Sequence, residues 1–249
     1  MSKVLFVIPT TARRLKLLSN VVQEVLDKNK NHECEFIVVK NGNFPEDVYD
    51  EFELQPEVIK ERSEPAANIA VAINKGLSYQ RDDHDWVVIL EDDFLIHKEN
   101  WIDTYIKVME SKDKCGCIGS RVHGKQSKMR VPSLQFDSPQ SFEVFWTDGV
   151  NFLRPEITWD HKLDEQFWGN SEVPDYCVTL IDHGWENWYV YVEHTHDTIS
   201  EEKKYEYSET HINQFANRGK LWTKWCETDN DIIFTYVMMD LVEDRQYAE

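Results

Sequence analysis

Residues Trp86-Val87-Val88-Ile89-Leu90 form an unbroken apolar run, mostly β-branched, that ends directly on Glu91-Asp92-Asp93. A run of that length and composition reads as a strand buried on both faces, the kind found inside a parallel sheet. The carboxylates at its end are the stronger constraint. Like charges packed this closely repel one another and lose solvation, so a chain seldom sets them at a sheet end without a cation nearby. Side chains alternate along a strand, which sends Glu91 and Asp93 to one side and Asp92 to the other. In open α/β sheets ligands sit beyond the carboxyl ends of the strands, where this cluster falls. Hard carboxylate oxygens beside a polyphosphate suit Mg²⁺ or Mn²⁺. A solvated acidic turn between a strand and the next helix accounts for the same residues, and the cluster alone does not choose.

The remaining chain supplies a sheet for that strand. Lys3–Ile8 and Glu35–Val39 read as buried strands, the first closed by Pro9-Thr10-Thr11 and the second by an Asn41-Gly42 turn. Between them Leu17, Leu18, Val21, Val22 and Val25 recur at helical spacing over residues 13–26. A short helix over 46–53, an extended 57–60 and a helix over 66–80 precede the acidic strand; a helix over 101–110 and a strand over 116–122 follow it. Strands and helices alternating through short connectors are the pattern of βαβ units around a mainly parallel sheet with helices on both faces.

The rhythm breaks near residue 123. Residues 123–140 read as a long polar loop carrying Lys125, Lys128 and Arg130, and long loops in compact domains usually mark function or motion. Shorter strands are expected over 142–146 and 150–153, a helix over 173–183, a strand over 188–192, and helices over 211–227 and 232–241. The expectation is one domain, 1–249, with halves at 1–122 and 123–200 and a helical tail over 201–249. Trp146, Trp159, Trp168, Trp185, Trp188, Trp222 and Trp225 all fall in the second part, as core packing or as a platform for sugar rings.

Composition removes some function classes. A net charge of −19 argues against unassisted binding to nucleic acid or an anionic membrane. The five cysteines are odd in number and form no zinc-type CxxC pair, so Cys115 and Cys117 read as strand packing. A reducing cytoplasm is the expected compartment. No apolar run has the length of a membrane span, so a soluble protein is expected.

Several stretches, in this order and spacing, resemble the family 2 glycosyltransferases of the GT-A fold over roughly residues 3–225. VIPTTAR is similar to that family's first strand and loop, EFIVVKNGN to its second strand, and NIAVAINKG to its Asn- and Gly-spaced helix. DWVVILEDD is similar to the strand with the DXD-type metal motif, and LDEQFWGNSEVPDYCVTLIDHGW to the acceptor-side block. EHTHDTIS and NRGKLWTKW resemble the later His-x-x-x-Ser segment and the Lys-Trp ending. The resemblance implies a Rossmann-like GT-A sheet with acceptor-side strands and a C-terminal helical segment. It also implies transfer of a sugar from a nucleotide-diphosphate donor to an acceptor hydroxyl, with Mn²⁺ or Mg²⁺ and with inversion.

Site roles follow from the same resemblance. Pro9, Thr10, Thr11, Arg13, Lys40, Asn41, Asn68, Asn74, Glu91 and Asp92 would line the donor. Asp93 and Glu91 would hold the metal, joined by His196 or else His194. Asp164, Glu165 and Trp168 would meet the acceptor, and Glu172 would be the catalytic base with Asp175 in reserve. Two positions depart from the family. Lys40 stands where an Asp usually reads uracil, and Val173 interrupts the acidic pair that supplies the base. Lys220 and Lys224, one helical turn apart, are either ligands of the diphosphate under a closing tail or solvated charges. Two other functions share the pattern: a bacteriophage-type transferase acting on a modified base in DNA, with Lys125–Arg130 on the phosphates, and a non-catalytic binding relative.

Overall fold

The computed structural model describes residues 1–10, 15–41, 46–63, 68–120, 141–167, 171–196, 217, 219–231 and 233. The parallel βαβ expectation holds through the first half. Strands β1 (Lys3–Thr10), β2 (Glu33–Lys40), β3 (Val58–Arg62) and β4 (Trp86–Leu90) pair in parallel in the order β3-β2-β1-β4. Their C-terminal ends therefore share one edge of the sheet. Helix α1 (Leu15–Lys28) links β1 to β2, α2 (Glu46–Glu51) precedes β3, and α3 (Ile69–Leu77) leads to β4. Gly76 is required on α3, because a Cβ there would stand 2.3 Å from Val7 of β1.

The second half continues the same sheet in mixed pairing. After β5 (Phe94–Ile96) and α4 (Trp101–Glu110), β6 (Cys115–Gly119), β7 (Ser141–Val144) and β8 (Val150–Leu153) follow. Helices α5 (Pro155–Asp160) and α6 (Glu172–Asp182), then β9 (Glu186–Val190) and β10 (His194–His196), complete the elements before the tail. Strand β8 lies antiparallel between β4 and β6, β9 runs parallel to β6, and β7 closes that edge antiparallel to β9. The short strands β5 and β10 form a separate antiparallel pair.

Both faces of the sheet are covered. Phe6, Phe36, Trp101, Tyr105 and Phe152 pack on the side of α1 and α4. Val7, Ile37, Ile73, Leu77, Tyr176 and Leu180 pack on the side of α3 and α6. A third cluster joins α6 to the tail through Phe167, Cys177, Val178, Leu221, Trp225 and Ile233. Trp146 and Trp225 are buried there, Trp185 and Trp188 pack against the other clusters, and Trp159 is exposed. Cys115 and Cys117 are buried in β6. Among the described residues, no helix is long and apolar enough to cross a membrane.

Candidate active site

The acidic run lies where the parallel strands end. Strand β4 stops at Leu90, yet the alternation of side chains persists through the turn. Asp92 turns back towards β1 and accepts a hydrogen bond from Thr10 Oγ1 at 2.7 Å. Glu91 and Asp93 turn the other way, to His196, whose Nε2 is 3.1 Å from Glu91 Oε2 and 3.3 Å from Asp93 Oδ1. The β5–β10 pair makes this meeting possible, because its register sets His196 opposite Phe94 and so beside Asp93. His194 has a different role: its ring stacks on Phe94 with centroids 4.5 Å apart, and its Nδ1 faces the Val192 carbonyl at 2.8 Å.

A turn before β8 supports Glu91 from below. Glu91 N–H donates to the Gly149 carbonyl at 2.9 Å, and Gly149 N–H donates to Glu91 Oε1 at 3.3 Å. Gly149 sits at φ +77° with its α-carbon against the Phe94 ring, where a Cβ would come within 2.4 Å. Only glycine fits that close approach in that conformation. Its neighbour Asp148 is an acidic residue beside this cluster that the sequence reading passed over. Burial first, and then the Asp148 charge, push Glu91 up to about 7. The Asp148-Gly149 dipeptide was the available signal, a turn pair placed just ahead of a strand.

The Glu91, Asp93 and His196 ligand atoms lie within 4.8 Å of one another. Hydrogen bonds to Asp93 and then to Glu91 lift His196 to about 9, so the imidazole is held as a cation between two carboxylates. A divalent ion would compete for the same three atoms and displace that proton. Two carboxylates and one imidazole form a donor set that fits Mn²⁺ or Mg²⁺.

Glu172 is the first residue of α6, and Pro174 follows inside the first turn. Ahead of it Ser171 adopts φ +70°, a left-handed conformation that costs energy for a residue with a side chain. Glu172 is only 7% exposed, and its Oε2 is buried with no hydrogen-bond partner. Burial raises its pKa to about 7, with the Asp148 charge adding to the rise. Asp148 thus stands electrostatically between the metal-type cluster and a second, isolated carboxylate. Asp175, one turn on, has no such freedom. Its Oδ2 meets Lys224 Nζ at 2.8 Å and its Oδ1 accepts from Trp225 Nε1 at 2.8 Å.

The other expected site residues divide into two groups. Pro9, Thr10, Lys40 and Asn41 gather at the ends of β1 and β2, with Asn41 N–H donating to the Thr10 carbonyl at 2.6 Å. Lys40 is buried, and the buried Asn41 Oδ1 has no partner. Asn68 and Asn74 instead use their amides on the 163–167 segment. Asn68 Nδ2 donates to the Glu165 carbonyl at 2.8 Å while its Oδ1 caps α3 at Val71 N–H, 3.2 Å away. Asn74 brackets Leu163 through both its amide atoms and reaches Glu165 Oε1 at 3.0 Å. Asp164 accepts from Gln166 and Lys224. Lys220 Nζ donates to the Gln166 carbonyl at 2.8 Å, so both tail lysines hold protein groups in this structure. Thr11, Arg13, Lys125, Lys128, Arg130, Trp168 and Ser200 lie outside the described residues.

The family model described as glycosyl transferase family 2 matches residues 5–179. Among curated proteins, no sequence matches. Similar solved structures share the fold at low identity. A mannosyltransferase from Pyrobaculum calidifontis in complex with GDP-Man and Mn²⁺ superposes with a TM-score of 0.65 at 10% identity, covering 96% of this chain and 68% of that one. S. aureus TarS 1-349 in complex with UDP-GlcNAc gives 0.59 at 13% identity, with 96% and 72% covered. The catalytic domain of Drosophila β1,4-galactosyltransferase 7 with xylobiose gives 0.53 at 16%, with 82% and 74% covered. The GT-A architecture expected from the sequence is the one these structures share with this chain.

Proposed function

This chain belongs to glycosyl transferase family 2, and from that membership we propose that it moves a sugar from a nucleotide-diphosphate donor to an acceptor hydroxyl. The acceptor is a glycan or glycoconjugate, and the sugar is transferred with inversion. One observation carries the reading: Glu91, Asp93 and His196 bring three ligand atoms within 4.8 Å of one another just beyond the end of β4, and Glu172 is a buried carboxylate with an unpartnered oxygen. The complexes of TarS with UDP-GlcNAc and of the mannosyltransferase with GDP-Man and Mn²⁺ support a nucleotide-sugar donor and a divalent metal.

In this reading Glu91, Asp93 and His196 hold a Mn²⁺ or Mg²⁺ ion. That ion, when bound, neutralises charge on the leaving diphosphate. Thr10, Asn41 and Asp92 line the donor at the ends of β1, β2 and β4. Asn41 offers a buried acceptor oxygen to an N–H or O–H of the nucleoside. Glu172 takes the acceptor hydroxyl proton, as that oxygen bonds to the anomeric carbon and the bond from this carbon to the diphosphate breaks. A base with a pKa near 7 suits that task, because it is ionised in a useful fraction and still basic enough to accept a proton.

The test is a panel of nucleotide sugars incubated with the protein and Mn²⁺, scored for nucleotide release with and without acceptor saccharides. Release from one donor class that needs the metal and rises with acceptor supports the reading. If no donor binds or releases nucleotide under any metal condition, a non-catalytic relative is the better description.

A further inference from the structure

The C-terminal segment is tied to the base-carrying helix by a buried knot. Asp175 is 1% exposed, and both its oxygens are taken from outside its own helix, by Lys224 Nζ at 2.8 Å and Trp225 Nε1 at 2.8 Å. The same Lys224 ammonium reaches Asp164 Oδ2 at 3.0 Å, so one cation joins α6 to the 163–167 segment. Lys220 adds a second tie to that segment through the Gln166 carbonyl at 2.8 Å. Around this knot Leu221, Trp225 and Ile233 pack with Phe167, Cys177, Val178 and Ile181.

What the knot holds is the first turn of α6. Asp175 N–H donates to the Ser171 carbonyl at 2.9 Å, closing the turn that contains Glu172. Ser171 is in the left-handed region at φ +70°, so this turn is held against a local conformational cost. Among the described residues, no other anchors the Glu172 carboxylate: its Oε2 has no partner, and its hydrogen bond is to its own backbone N–H. Its position is set by the backbone, and the backbone of this turn is pinned at Asp175. Burying a carboxylate this deeply would be costly without the cation and the indole N–H that meet it.

We infer that Lys224 and Trp225 are positioning residues for the transfer reaction. They act through Asp175 to set Glu172, and Lys224 acts through Asp164 to keep the 163–167 segment in the same frame. The inference rests on the proposed role of Glu172 as base. It gives the tail a task other than contact with a diphosphate. Displacement of a catalytic group by about an ångström costs roughly 10²-fold in rate, so loss of the knot reads out in turnover.

The test compares Lys224→Met, Lys224→Arg and Trp225→Phe with the wild-type chain, using whichever donor the panel identifies. Lys224→Met should lower kcat by roughly 10- to 100-fold with donor KM unchanged within about twofold. Lys224→Arg can still bridge two carboxylates and should recover most of that loss. The deciding measurement is a double-mutant cycle with Glu172→Gln. If Lys224 acts through Glu172, the Lys224→Met change should add little to the loss already caused by Glu172→Gln. Additive losses, or an unchanged kcat in Lys224→Met, would overturn the inference. Should Lys224→Met fail to fold, Trp225→Phe keeps an aromatic ring in the apolar cluster while removing the N–H together with the five-membered ring, and the same cycle decides. Failure of the underlying reading looks different, since the wild-type chain itself would then show no transfer with any donor.

Discussion

At the β1–β4 end of the sheet, Glu91, Asp92 and Asp93 follow directly from a buried strand and are oriented by partners at the ends of neighbouring strands: Thr10 closing β1, His196 closing β10 and the Gly149 backbone just before β8. At the α6 end, Glu172 and the 163–167 segment are oriented by side chains far away in the chain. Asn68 and Asn74 reach across from α3, and Lys224 and Trp225 reach in from the tail. The first arrangement rests mainly on sheet geometry, because backbone pairing sets where these residues meet. The second depends on individual polar bonds with buried ends, each costly to leave unmade. Loss of a group in the first region should therefore remove chemistry and leave the fold. Loss in the second should disturb placement.

The largest effect tests the first region. Asp93→Ala removes a ligand of the proposed metal at a sheet end that backbone pairing already fixes. Transfer should fall by roughly 10³-fold or more with an unchanged circular dichroism spectrum, while the metal-free melting curve shifts only modestly as His196 loses its Asp93 partner. Titration calorimetry with Mn²⁺ should lose its binding isotherm in the same variant. Near-normal turnover at limiting Mn²⁺ would remove the metal from this cluster.

Glu172→Gln comes next, and it asks whether the second region holds the base. Size and polarity are kept, the carboxylate is lost, and kcat should drop by roughly 10²- to 10⁴-fold with donor affinity nearly unchanged. Ordinary turnover with a dead Asp175→Asn variant would shift the base to Asp175. The contacts of Asp175 argue against that outcome, since Lys224 and Trp225 already occupy both its oxygens.

The same substitution has a smaller, opposite effect on stability. Buried Glu172 has a folded-state pKa of about 7 against an ordinary 4.5. Below the ordinary value the carboxyl is neutral whether folded or unfolded. As pH rises from there towards 7, the unfolded chain ionises and the folded one does not, so the wild-type protein loses stability across that window. Glu172→Gln has no such loss. In metal-free protein it should overtake wild type as pH rises, reaching a margin on the order of 3 kcal/mol above neutrality. Glu91 titrates in the same range but is present in both proteins, so it cancels in the difference. A margin that does not change with pH would mean that Glu172 is already ionised in the folded chain.

These contrasts explain what was legible in the sequence. Strands β1, β2 and β4 and helices α1 and α3 follow the apolar patterns read from the sequence, because burial of one face or both leaves a local signature. Glu91 and Asp93 stand out as a charge cluster at the end of a buried strand, whereas Glu172 is singled out only through the family resemblance. Strands β5 and β10 leave no such signal, being three residues each and visible only through a pairing across about a hundred residues. The tasks of Asn68, Asn74 and Lys224 were equally hidden. An amide or ammonium that bonds to a distant segment has the same local pattern as one that faces a ligand, and only the tertiary fold separates them.

The smallest effect lies where the two regions touch. Asn74 belongs to α3, a helix of the first half, yet its side chain acts entirely on the second. Its Nδ2 donates to the Leu163 carbonyl at 2.9 Å and to Glu165 Oε1 at 3.0 Å, and its Oδ1 accepts from Leu163 N–H at 3.0 Å. Asn74→Ala leaves the Leu163 amide and carbonyl to find water, at a cost of about 1–3 kcal/mol if they stay partly buried. That cost falls on the 163–167 segment and not on the ends of β1, β2 and β4. Acceptor KM should therefore rise by roughly tenfold while donor binding and Mn²⁺ affinity stay within about twofold of wild type. Hydrogen exchange should quicken at the Leu163 amide and leave the β4 amides slow. If Asn74→Ala instead weakens donor binding and spares acceptor KM, Asn74 belongs to the donor site, and its bonds to Leu163 and Glu165 give way when the donor arrives.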